Sequence, residues 1–278
     1  MKIIAHRPFR DEHPMERFDP SCLADFDGLE LDLRSIADGE VTVLHGAIVT
    51  RSRRPANGAA KPLEGVIERI SAGSAPVDLV FLDVKSSQAA RQARRARELL
   101  PATAEVSFIC WHEDDVRILN ETFPDAGKFY GIAPIWENRL NRHFPEDFFV
   151  FNTFPYFAGA RRFRPRARQF NQHNIYVGRL GAARMASRLP EGVTGLCFHK
   201  VFFKSEIAAL ARQEGLRVAV YGFRSLRDPK IEQLAKLIDY AIVDPDLGPG
   251  QASKTVRTAR VLGRRVTRRV RRLMPRRA

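Results

Sequence analysis

The sequence predicts an α/β protein of the (β/α)8 TIM-barrel class, built as a single domain, and three observations carry that expectation. Short β-rich runs recur with helical stretches between them over about 250 residues, the rhythm of a parallel α/β protein. Those runs are nearly all apolar, as strands covered on both faces are. The 278 residues also suffice for one full-sized core. An open doubly wound sheet shares this rhythm, but no GxGxxG or GxxxxGK[ST] motif follows any strand, so its nucleotide-binding version loses support.

In chain order the strand candidates are KIIA (2–5), LELDL (29–33), VTVLH (41–45), DLVFLDV (78–84), EVSFIC (105–110), FFVFN (148–152), GLCFH (195–199), RVAVYGF (217–223) and YAIVD (240–244). FYGIAPI (129–135) competes with 148–152 for the fifth barrel position, and VTVLH fits an accessory hairpin after the second strand. SQAARQARRARELL, DDVRILNETF, KSEIAALARQEG and DPKIEQLAKL are the helix candidates, the third closing on a glycine at C′. Residues 134–192, rich in Phe, Arg and Asn, match no element.

Composition narrows the function classes. No run of about 18 apolar residues exists to span a bilayer, and MKIIAHRPF reads as a first strand rather than a signal peptide. Cys22, Cys110 and Cys197 are far apart without CxxC spacing, which argues against a disulfide framework or a zinc site and for a cytoplasmic location. The net charge of +14 is concentrated: residues 251–278 hold Lys254 and ten arginines with no acid, +11, leaving +3 for residues 1–250. The chain therefore divides into a barrel (1–250) and an Arg-rich tail (251–278). In the tail Val256, Ala259, Val266, Val270 and Leu273 follow three-and-four spacing, so 254–277 reads as an amphipathic helix suited to an anionic membrane surface on the inner face. A disordered polyanion-binding tail is the competing reading. No zinc finger, helix-turn-helix or RNP-like run points to specific nucleic-acid binding.

The chemistry gathers at strand ends. In a parallel barrel alternate residues point inward and functional groups collect at the C-terminal rim. Glu30 and Asp32, two apart, share a face there, and Asp83 and Lys85 repeat the pattern. His6 and Arg7 end the first strand, and His45 ends VTVLH. Three carboxylates without thiolates make a hard oxygen site for one divalent cation, Mg²⁺ or Ca²⁺. Arg7 and Lys85 suit a phosphate, and two histidines can divide acid and base duty. Together these spell phosphodiester cleavage. His112 and His199 also fall at strand ends, where a structural role is the stronger reading.

These residues resemble the glycerophosphodiester phosphodiesterase family, TIM barrels among the phospholipase-C-like phosphodiesterases. AHRPF is similar to its A-H-R-G, LELDLRSIADGEVTVLHG to its E-L-D-V…T-x-D-G-x-x-V-x-H-D, and LDVK to its E-I-K. GLRVAVYGF and DYAIVDPD resemble its late strands. The resemblance implies that His6 and His45 are the acid/base pair. It also implies that Glu30, Asp32 and Asp83 bind the metal and that Arg7 and Lys85 hold the phosphate of a glycerophosphodiester or lysophospholipid-type substrate. Four departures stand out: Pro8 after His-Arg, Met15 in HPMER where the family has P-E-N-T, Asp83 in place of Glu, and Gly46 after His45. His-Gly and Asp-x-Lys are similar to the sphingomyelinase D branch, which forms a cyclic phosphate, although that branch's cysteine-rich loop is replaced by a segment carrying Arg51, Arg53 and Arg54. A barrel without activity, binding membranes or polyanions through its tail, is the alternative from another class.

Overall fold

Ten strands, all but one rich in apolar β-formers, lie among the residues that the computed structural model describes, namely 1–9, 15–35, 40–44, 60–73, 78–84, 88–111, 113–132, 189–200, 203 and 205–245. The strands are β1 (Lys2–His6), β2 (Gly28–Ser35), β3 (Val41–Val43), β4 (Lys61–Pro62), β5 (Leu79–Val84), β6 (Glu105–Cys110), β7 (Gly127–Ile132), β8 (Gly195–His199), β9 (Arg217–Phe223) and β10 (Tyr240–Val243). Among the described residues five α-helices accompany them: α1 (Leu63–Ser71), α2 (Ala89–Leu99), α3 (Glu113–Thr122), α4 (Ser205–Gln213) and α5 (Pro229–Leu234).

Eight strands pair in parallel in the cyclic order β1-β2-β5-β6-β7-β8-β9-β10, and β1 closes the ring by pairing with both β2 and β10. The fold is a closed TIM barrel. Its closing seam joins Ala5 to Val243, from opposite ends of the chain. β3 runs antiparallel to β2 and carries β4, so VTVLH does form an accessory hairpin on the second strand. Of the two candidates for the fifth position, 127–132 takes it: β7 pairs with β6 on one side and directly with β8 on the other. The barrel therefore closes without 148–152, which lies outside the described residues, as do His45, Lys85, His112 and the tail.

Strand alternation sorts the side chains into two layers. Leu29, Leu31 and Leu33 of β2 join the layer beneath the helices, with Val80, Leu82 and Val84 of β5. Phe81, Phe129 and Tyr240 face the interior with Ile4 and Ile109, their rings 5.0–5.5 Å apart. Such offset and edge-on aromatic contacts fill the barrel as a packed core.

Local sequence explains the helix ends. Asp228 accepts from the Lys230 amide and is followed by Pro229 at the first helical position, a well-formed start for α5. α4 ends as its glycine predicts: Gly215 adopts φ +69°, the Leu216 amide donates to the Ala211 carbonyl and that of Gly215 to Arg212. That pair of bonds is a Schellman motif. α1 was not among the sequence candidates; it starts at Leu63 without a side-chain cap and is held by its apolar face, with Leu63, Val66, Ile67 and Ile70 buried. No helix among the described residues is long and apolar enough to cross a membrane.

Candidate active site

Register carries the acidic side chains to one place. Glu30 and Asp32 occupy the face of β2 opposite its three leucines, and Asp32 stands level with Asp83 on the neighbouring β5. His6 stands level with Glu30 on the other side. One oxygen from each of Glu30, Asp32 and Asp83 lies within 4.8 Å of the others, and all three residues are buried, at 1%, 2% and 5% exposure. Three like charges held this close in a low dielectric repel one another strongly unless cations are present.

The protein provides part of that charge. The Arg7 Nε faces Asp32 Oδ2 at 3.2 Å, and the Arg7 amide donates to Glu30 Oε2 at 3.1 Å. Both contacts follow from a left-handed backbone at Arg7, φ +48°, the one non-glycine residue with positive φ among those described. Such a conformation costs on the order of 1–3 kcal/mol and persists when its surroundings hold it. Here they do: Phe9, two residues on, packs its ring 4.0 Å from that of Phe18. Pro8, one of the departures from the family pattern, is buried in the same turn.

His6 is fixed from behind. Its Nδ1 lies 2.6 Å from Asp244 Oδ1, just past β10, while its Nε2 is turned toward Glu30 Oε2 at 4.0 Å. With Asp244 ionised, the Nδ1–H tautomer donates to it and Nε2 is left to exchange a proton. Asp244 was not among the sequence candidates, though DYAIVDPD repeats the signal of Asp83, an acid at the end of an apolar strand.

Two more residues join the rim unannounced by the sequence. Trp111, just after β6, donates its indole N–H to Asp83 Oδ1 at 2.7 Å. Tyr221 of β9 packs edge-on to His199 of β8, their ring centroids 5.1 Å apart. β8 and β9 lie across the ring from β2 and β5, so this pair stands opposite the carboxylates. Burial, with Lys200 and His6 nearby, pushes the His199 imidazole down from its ordinary value and favours its neutral form. Of the seven sequence candidates, five (His6, Arg7, Glu30, Asp32 and Asp83) meet at this mouth. The amide of Leu44 donates to the Asp32 carbonyl; His45 and Lys85 lie outside the described residues.

The donor set fits a divalent cation: three buried carboxylates from two strands, all oxygen, opposed by one guanidinium. Glu30, Asp32 and Asp83 would hold it.

No family model matches the sequence, and neither does any curated protein. Solved structures do match the fold. The chain is similar to a phosphodiesterase of Oleispira antarctica solved in complex with the product sn-glycerol-3-phosphate, at 11% identity and TM-score 0.54, covering 89% of this chain and 94% of that one. A glycerophosphodiester phosphodiesterase of Parabacteroides distasonis shares 17% identity at TM-score 0.50, over 95% and 98% of the two chains. A Galdieria sulphuraria protein assigned to the same activity shares 16% at TM-score 0.53, over 89% and 95%. At these identities the likeness is one of fold.

Proposed function

We propose that this barrel is a metal-dependent phosphodiesterase that cleaves a glycerophosphodiester or lysophospholipid-type substrate, with His6 and His45 as general acid and base. The observation that carries the reading is the meeting of Glu30, Asp32 and Asp83 beside an imidazole that Asp244 holds by Nδ1. The fold shared with a phosphodiesterase holding sn-glycerol-3-phosphate supports the same class of substrate.

Glu30, Asp32 and Asp83 would hold a divalent cation, which would supply positive charge to the phosphodiester oxygens. His6 exchanges a proton at Nε2, and Asp244 steadies the imidazolium that results. Arg7 presents a guanidinium whose Nε already faces Asp32, which leaves its terminal nitrogens in the planar two-pronged arrangement that suits a phosphate. Lys85 adds a second phosphate contact, the role the family resemblance gives it. The arginine-rich residues 254–277 bring the enzyme to the inner face of an anionic membrane, which suits a lipid phosphodiester substrate.

The test is turnover of glycerophosphocholine and of lysophosphatidylcholine with Mg²⁺ or Ca²⁺. His6→Ala and His45→Ala each lower turnover by at least about 10²-fold while substrate still binds. Truncation at residue 250 lowers turnover on vesicles and leaves that of soluble glycerophosphocholine unchanged. Full activity in both histidine variants overturns the reading. A cyclic phosphate product identifies attack by the substrate's own hydroxyl, as in the sphingomyelinase D branch, and an open phosphate identifies water as the nucleophile unless a cyclic product forms first and is opened in a second step.

A further inference from the structure

The third carboxylate, Asp83, differs from its two companions in how it is held. Glu30 and Asp32 meet the Arg7 amide and guanidinium. Asp83 instead accepts from Trp111, through a buried bond of 2.7 Å that comes from the β6 flank while Asp32 lies on the β2 flank. The indole has little room to be elsewhere. Trp111 is 7% exposed and packs with the barrel's interior cluster. It lies against Gly131 of β7, where a Cβ would fall 2.6 Å from its ring. That glycine is therefore needed to let the ring lie flat on the strand and reach Asp83.

We propose that Trp111 is a positioning residue for the cation: its indole N–H anchors Oδ1 of Asp83, so that the carboxylate offers its other oxygen toward Glu30 and Asp32. The inference rests on the reading of these three acids as a cation site. Hydrogen-bonded partners of ligating groups fix orientation, and their loss typically lowers metal affinity about 10–100-fold. A carboxylate pinned by one oxygen also favours single-oxygen ligation, which suits Mg²⁺, whereas Ca²⁺ readily accepts both oxygens.

The experiment is calorimetric titration of Mg²⁺ and Ca²⁺ into the chelator-stripped full chain and its Trp111→Phe variant. The affinity for Mg²⁺ falls about 10–100-fold and that for Ca²⁺ falls less. In an Asp83→Asn background the Trp111→Phe change has no further effect. A second readout keeps Trp111 in place: with Trp136→Phe making Trp111 the sole tryptophan, its emission changes on addition of Mg²⁺, and Asp83→Asn abolishes that change. This measurement decides the matter if Trp111→Phe fails to fold. Absence of any cation binding by the native chain overturns the site reading itself. Native binding with an unchanged affinity in Trp111→Phe, or with silent Trp111 emission, overturns the role of Trp111 alone.

Discussion

The two halves of the barrel's interior are built on the same strands and have opposite characters. On β5, Phe81 faces inward in the middle and Asp83 at the end; on β10, Tyr240 faces inward at the start and Asp244 follows the last residue. The floor is aromatic. Arg217 there donates to the Tyr240 hydroxyl at 2.9 Å, lies over the rings of Phe129 and Tyr240, and pairs with Glu105 at 3.4 Å. The mouth holds three buried carboxylates, with the Arg7 guanidinium and the His6 imidazole beside them and His199 across the ring. Alternation within a strand dictates which residues point inward, and the distance along the strand decides whether they stabilise the fold or serve chemistry. Among the described residues, the mouth concentrates negative charge.

That contrast can be broken most forcefully at the mouth. Asp83→Asn or Glu30→Gln is expected to lower phosphodiester turnover by at least about 10³-fold, equivalent to roughly 4 kcal/mol of transition-state stabilisation. Thermal unfolding in chelator should stay the same or move upward, because one of three repelling charges is gone. The floor should respond in the reverse sense. Phe81→Ala destabilises the fold by about 3–5 kcal/mol in denaturant titrations, while the activity of the molecules that remain folded is retained.

Behind the mouth, Asp115 on α3 sharpens the comparison. It is 3% exposed and, among the described residues, its Oδ2 has no hydrogen-bond partner, unlike Arg217. Burial, with Asp114 and Asp83 adding to it, pushes its carboxyl up to about 7. A carboxyl that holds its proton more tightly in the folded chain than in the unfolded one favours folding at low pH. That contribution is lost as pH rises between about 4 and 7. Stability measured in chelator should therefore fall over this range by on the order of a few kcal/mol, and Asp115→Asn should flatten most of the fall.

The smallest of the expected effects concerns the back of the site. Asp244→Asn keeps the shape beside His6 but removes the charge that steadies its imidazolium. It is expected to lower kcat about 10–100-fold with KM nearly unchanged, an effect of roughly 1.4–3 kcal/mol on the transition state. An equal loss in KM would mean that Asp244 serves substrate binding instead.

The legibility of this molecule in its sequence follows the range of the contacts. Glu30, Asp32 and Asp83 were readable because the two-residue period of a strand is local and each acid interrupts an apolar run. The accessory hairpin was readable for the same reason. Asp244 carries the same local signal, but its tie to His6 was not readable, because the two lie 238 residues apart and closure of the barrel at β1 and β10 joins them. Trp111 reads in sequence as one more aromatic after a strand, and its role appears only once Gly131 and Asp83 flank it in space. Arg7 was expected to hold a phosphate; its ion pair with Asp32 and its left-handed backbone depend on tertiary contacts that no local pattern encodes.

The most direct measurement is the anomalous difference map of crystals soaked in Mn²⁺. A single strong peak within about 2.0–2.6 Å of oxygens from Glu30, Asp32 and Asp83 is the predicted result. Soaked crystals with no density among these three carboxylates, or with manganese bound only at other positions, would contradict it.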